Sequence, residues 1–212
     1  MSATFAVPAA LEEFLGHQQT KVEAGSVLAL GVLLTAIYAA LFLGLSGRAN
    51  YLDSSLHTWR LIAGVLIASD IFFGAVANFS RGTNAHYSGA QNSKKRWIFI
   101  VAHWHISILC WLLHPEDVDA LTFCSGLNLF TLLCAAFVNT QRDNPSALQR
   151  FIGGATMVSS SFLLVSLAVR PELGGRLPRE LWPVCFVFHV KVMYAFAVDH
   201  YGGQTGSVAK KE

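Results

Sequence analysis

SVLALGVLLTAIYAALFLGL, residues 26–45, runs twenty residues without a charge, and its reading decides what kind of molecule this is. A helix needs about 20 mostly apolar residues to cross about 30 Å of hydrocarbon, so this stretch is a membrane span. Working outward, LIAGVLIASDIFFGAVANF (residues 61–79) has the same length and character, interrupted by Asp70. A third stretch, Trp97 to Leu113, is shorter and carries His103 and His105. Leu121 to Val138 and Phe151 to Val169 make the fourth and fifth. The sixth runs from Leu181 to His200, with His189 and Lys191 inside it.

Composition agrees. Of the 212 residues 53% are hydrophobic and 13% charged, and the mean hydropathy is +0.46, where an average soluble domain carries about 25% charged residues. This excludes a disordered chain and a disulfide-stapled mini-protein. A nucleic-acid binder needs a concentrated basic surface, whereas 15 Lys and Arg here face 13 Asp and Glu, for a net charge of +2.

The expected fold is therefore all-α, a polytopic bundle of six transmembrane helices forming one domain over residues 1–212. A short amphipathic helix from Pro8 to Val22 is expected to precede it, with Leu11, Phe14 and Leu15 on one side and Glu12, Glu13 and Gln18 on the other. Breakers separate the spans: Gly47, the polar run Ser80 to Ser93, His114-Pro115-Glu116-Asp117, Asp143-Asn144-Pro145-Ser146, and Pro171 with Gly174-Gly175. Nine basic residues (Lys21, Arg81, Lys94, Lys95, Arg96, Arg142, Arg150, Lys210, Lys211) fall on one side of the spans. Five (Arg48, Arg60, Arg170, Arg176, Arg179) fall on the other. By the positive-inside rule both termini are expected to be cytoplasmic. No cleavable signal pattern is evident. The glycosylation pattern at Asn78-Phe79-Ser80 would lie on the cytoplasmic side.

The four cysteines, Cys110, Cys124, Cys134 and Cys185, all lie in spans and form no Cys-x-x-Cys pair. They read as small packing residues, not as a zinc site or disulfide framework.

Chemistry is to be sought where charge is expensive. A charged residue at the centre of a spanning helix costs about 2.5–3.5 kcal/mol on insertion scales. Asp70 is the tenth residue of its nineteen-residue span and Lys191 the eleventh of twenty. The two helices run in the same direction, so the charges share a depth, and a direct or water-bridged pair is the simplest way to keep both. A packing ion pair with no chemistry is the plain alternative. His103, His105, His189 and Asn128 fall in the same middle slab, which is harder to explain by packing alone.

Residues two apart on a helix differ by about 200°. His103 and His105 are therefore expected to face apart, as are His189 and Lys191. Asp70, Gly74 and Asn78 form an i, i+4, i+8 stripe, and His189, Met193, Phe196 and His200 are expected to share a face. Together these stripes would line a path from the middle of the membrane to the cytoplasm. The polar segment Asn78 to Lys95 reads either as a solvated loop or as an anionic headgroup site. Asn78, Arg81 and Asn84, with His103, are the candidate substrate-binding residues. Ser159-Ser160-Ser161 reads as small-residue helix packing.

His-Glu-x-x-His, His-x-x-Glu-His, clustered His boxes and Asp-x-x-x-Asp pairs are all absent, which sets aside zinc proteases, di-iron desaturases and magnesium–diphosphate chemistry. Ser125 with His189 as a nucleophile pair has little support from its neighbours. The function expected is an integral-membrane enzyme of isomerase or cyclase type, acting on a lipid or isoprenoid-like substrate. Desolvation raises a carboxyl pKa and lowers that of an amine or imidazole, bringing such groups toward working pH. Asp70 would exchange the proton with His105 or His189, Lys191 would be the electrostatic partner and Asn128 the orienting hydrogen bonder. Aromatic rings (15 Phe, 5 Trp, 5 Tyr) could stabilise a developing cation. No cofactor and no metal is expected; haem between two His, or a Schiff base on Lys191, is a lesser alternative. The main alternative is a small proton-coupled transporter or channel subunit using the same residues. The partner in either case is a membrane lipid or apolar small molecule.

Overall fold

The computed structural model describes residues 4–45, 58–88, 92–143, 146–170, 177–178 and 180–201. Gly47, Asn144-Pro145, Pro171 and Gly174-Gly175, with Arg48, Arg176, Arg179, Lys210 and Lys211, lie outside the described residues. The architecture is an all-α bundle. Strands β1 (Thr4–Ala6) and β2 (Gln18–Thr20) flank a 3-10 turn and the short helix α1 (Glu12–Leu15). The helices α2 (Lys21–Leu45), α3 (Thr58–Ala77), α4 (Arg81–Ser88), α5 (Ser93–Ala102), α6 (His105–Leu113), α7 (Val118–Thr140), α8 (Ser146–Ala168) and α9 (Leu181–His189) follow, and a π-helix (Val190–Phe196) continues α9.

Among the described residues, five segments are long and apolar enough to cross a membrane: Lys21–Leu41, Thr58–Ala77, Ser93–Leu113, Val118–Thr140 and Ala147–Ala168. Leu181–Phe196 is a shorter apolar helix. Large apolar side chains such as Leu28, Leu66, Val101, Leu133 and Phe162 are exposed on the outside of the bundle. A soluble monomer rarely shows such continuous apolar surface, and this is a multi-pass membrane protein. Inside, Ala68 and Ile71 of α3, Leu109 of α6, Ala135 of α7 and Phe188 of α9 are completely buried. Cys110, Cys124 and Cys185 lie in the same core, free and buried, with the Cys124 thiol against both of the others.

The segment before the first span is not the amphipathic helix expected. β1 and β2 pair antiparallel, with Phe5 opposite Gln19, and helix begins again only at Lys21. The reason is a capping box that the sequence carries as Thr20-Lys21-Val22-Glu23. Thr20 Oγ1 accepts from Glu23 N at 3.1 Å, and Glu23 Oε2 accepts from Thr20 N at 3.1 Å. Gly16 turns the chain back with φ of 72°, a left-handed conformation suited to glycine. A Cβ there would fall 2.0 Å from the Gly82 carbonyl oxygen.

The polar run after α3 is not a loop either. α4 turns Thr83, Asn84, His86 and Tyr87 inward, and Arg96 is buried beside it, donating to Asn139 Oδ1 and the Tyr87 carbonyl. These groups close the end of the bundle. Arg142 and Gln149 both donate to the Ala197 carbonyl, and Asn84 donates to the Val198 carbonyl. The carbonyls beyond the last helix, which have no helical partner of their own, are thus taken up by side chains. Burial holds the Arg142 guanidinium down at about 10, with Arg96 acting the same way and Asp199 opposing.

Two spans are irregular. The third is broken between α5 and α6, at His103 and Trp104, with no glycine or proline at the break. Asn128 of α7, fully buried, pins it: its Nδ2 donates to the His103 carbonyl at 2.9 Å, and its Oδ1 accepts from Ile106 N at 3.2 Å. The last helix slips into π geometry after His189. Asn78 Nδ2 donates to the Lys191 carbonyl at 3.3 Å there. Backbone groups freed inside a bilayer must find partners within the protein, and these two asparagines provide them.

Candidate functional site

The break in the third span and the π-helix meet at Asp70. Lys191 Nζ donates to Asp70 Oδ2 at 2.6 Å and to the Asp70 carbonyl at 3.1 Å. The lysine stem crosses Gly74, where a Cβ would sit 2.4 Å from Lys191 Cε. The Asp70, Gly74 and Asn78 stripe therefore faces the last helix and is filled by Lys191, instead of lining an open path.

His105 Nε2 stands 3.5 Å from the same Asp70 Oδ2. His103 lies edge-on to His105, with ring centroids 4.6 Å apart. This corrects the expectation that the two face apart. The 200° rule holds for a continuous helix, and the break at His103–Trp104 removes it. His103 Nδ1 bonds the Phe99 carbonyl and its ring lies on Phe99, which in turn stacks on Phe196 at 3.7 Å and 14°. One ligand atom from each of Asp70, His103 and His105 falls within 4.8 Å of the others, the sole such cluster among the described residues.

Exposure across the centre is uneven. The Lys191 side chain is sealed at 2%, while His105 retains 19% and Asp70 30%. His105 Nδ1 is buried and has no hydrogen-bond partner among the described residues.

His189 is not part of this centre. Its Nδ1 bonds Thr131 Oγ1 at 3.1 Å and its Nε2 bonds Ser160 Oγ at 2.6 Å, on the side of α7 and α8. Met193 joins it through Ser160, but Phe196 stacks on Phe99 and His200 packs on Phe79 and Tyr194. The expected shared face is dispersed because a π-helix does not advance by the α-helical angle. Beside His189 a groove of about 400 Å³ runs between α7 and α8, lined by Phe130, Cys134, Thr156, Ser159, Ser160 and Leu163.

Asn128 acts on the centre through the break it pins, without reaching Asp70. Asn78 and Asn84 bond backbone around the last helix, and Arg81 lies at the end of the bundle with its guanidinium 5.4 Å from the Tyr201 ring. The structure brings none of these last three side chains to Asp70. Phe99 and Thr131 carry no signal in the sequence, and Ser160 reads there only as helix packing.

Compared with known protein families, with characterised proteins and with solved structures, the chain finds no match in any of the three.

Proposed function

We propose that this protein is an integral-membrane enzyme that moves a proton on a lipid or isoprenoid-like substrate, in a reaction of isomerase or cyclase type, with both termini on the cytoplasmic side. One observation carries the reading: a single carboxylate oxygen, Asp70 Oδ2, faces both the Lys191 ammonium and the His105 imidazole while the carboxylate stays partly open. Lys191 holds the charge of Asp70 inside an apolar bundle. Asp70 takes the proton from substrate, protonated His105 returns one at a neighbouring position, and the proton now on Asp70 passes back to His105, 3.5 Å away, to reset the pair. Phe99 and Phe196 offer ring faces to positive charge developing on the substrate. Acid–base groups of this kind contribute about 10²–10⁴-fold each to a rate.

The test is proton exchange. Lipids that co-purify with the protein are identified by native mass spectrometry, then returned to it in D₂O. Deuterium should enter one of them with the native protein and not with Asp70→Asn or His105→Ala. Equal incorporation by all three would refute the reading.

A proton-coupled transporter is favoured by a different observation, the helix broken in mid-span, because interrupted helices form many transporter sites. Flux into proteoliposomes that collapses with Asp70→Asn, without deuterium incorporation, would select it.

A further inference from the structure

We infer that Asp70, His103 and His105 form a binding site for one divalent transition-metal ion of the zinc or ferrous class. The inference concerns what the centre holds and stands whichever reaction it performs.

Two imidazoles and one carboxylate are a common donor set for such ions, whereas magnesium and calcium take oxygen donors. Tetrahedral zinc bonds of about 2.0–2.2 Å place two ligand atoms about 3.3–3.6 Å apart. The observed limit of 4.8 Å needs the widest pair to close by about 1.2–1.5 Å, which rotation about the imidazole and carboxylate side-chain torsions can supply.

The nitrogen atoms are prepared for it. A carbonyl oxygen only accepts, so the bond from His103 to Phe99 O puts the ring proton on Nδ1 and leaves Nε2 with a free lone pair. A ligating histidine usually donates its other nitrogen to a carbonyl or carboxylate in this way. His105 uses neither nitrogen well. Nδ1 has no partner among the described residues, and 3.5 Å from Nε2 to Asp70 Oδ2 is long for a hydrogen bond. The break that turns both rings to one side interrupts a membrane span and needs Asn128 to repair it. A packing role for His103 and His105 would not require that break.

Lys191 opposes the ion. Asp70, Lys191 and two neutral imidazoles sum to no net charge, so a divalent ion adds two charges to an apolar bundle. An anionic ligand must accompany the ion, or the ammonium must withdraw from Asp70. Removing the ammonium should therefore strengthen binding, and this gain is one that misfolding cannot imitate.

The full chain in detergent, stripped with chelator and dialysed, is titrated with Zn²⁺, and with Co²⁺ as a spectroscopic probe. We expect about one Zn²⁺ per chain and cobalt d–d bands of a site with nitrogen and oxygen ligands. Affinity should fall at least about tenfold in Asp70→Asn, His103→Ala and His105→Ala, since even outer partners of a ligand are worth about 10–100-fold. It should stay unchanged in His189→Gln and rise in Lys191→Met. No binding by either the native protein or Lys191→Met overturns the inference, as does binding that survives loss of both His103 and His105. Deuterium incorporation by native protein that binds no zinc would remove the metal and leave the proton chemistry standing. Zinc binding without incorporation would do the reverse.

Discussion

Two polar nodes lie on opposite sides of the last helix, two residues apart in sequence, and they meet the problem of burial differently. At His189 both ring nitrogens bond hydroxyls, from Thr131 and Ser160: the protonated nitrogen donates to one, which can pass its own proton to a carbonyl of its helix (Leu127 or Thr156), and the bare nitrogen accepts from the other. The imidazole is wholly buried. At Lys191 the ammonium is equally sealed, but its carboxylate partner is partly open and the adjoining His105 has a nitrogen with no partner among the described residues. A buried polar group costs little once its hydrogen bonds are made and much while they are not. The first node is complete and reads as packing, while the second keeps bonding capacity in reserve, as a centre awaiting a ligand does.

That contrast is best attacked at Asp70. Asp70→Asn should lower the proposed proton exchange by about 10²–10⁴-fold. It also leaves Lys191 charged opposite a neutral amide. Removing one partner of a fully buried pair costs about 3–5 kcal/mol, and the smaller figure suits a carboxylate that is 30% exposed. Adding Lys191→Met to Asp70→Asn should recover most of that stability in a detergent melt without recovering exchange. If the double variant exchanges normally, the Asp70 centre is a packing device like its neighbour.

Asn128→Leu comes next. It removes both bonds across the break, leaving the His103 carbonyl and Ile106 N–H without that partner, at about 1–3 kcal/mol for each group. Thermal unfolding reports the loss. Exchange should drop too, because the two imidazoles lose the geometry that turns them to one side.

Gly74→Ala should act more mildly, at about 1–3 kcal/mol, since the new methyl meets the stem of a lysine that has some freedom to shift. Its sharper signature is displacement of Lys191 from Asp70, visible as altered pH dependence of exchange. Smallest of all should be His189→Leu. Thr131 and Ser160 keep their own-helix carbonyls, so about 1 kcal/mol is expected and the exchange rate should hold within about threefold. A loss there comparable to that of Asp70→Asn would erase the distinction between the nodes.

The bundle was legible because most of the apolar stretches reach or approach the length that hydrocarbon demands, and the pairing of Asp70 with Lys191 followed from counting both charges to the middle of parallel helices. The approach of His103 to His105 was not legible. It depends on a break fixed by Asn128, twenty-five positions from His103, in a stretch with no glycine or proline to announce it. That His189 and Lys191 face apart follows from their two-residue spacing, whereas the hydroxyls His189 meets on its side, Thr131 and Ser160, do not. At the start of the chain the error had another source. Leu11, Phe14 and Leu15 suggest an amphipathic helix, but Gly16 reverses the chain after them and the Thr20–Glu23 cap restarts it.

That reversal also bears on the order in which the molecule is put together. Gln19 is almost wholly buried and donates to the Leu15 carbonyl and to Ser80 Oγ, while Gly16 closes on Gly82. The residues before the first span thus rest on residues that the ribosome adds only after the second span is made. Until then Gln19 has no Ser80 and Gly16 no Gly82 to meet. The clasp therefore cannot close before α3 is made, and once closed it fastens the start of α2 to the residues just after α3, tying the two helices at that end into a hairpin that contains Asp70.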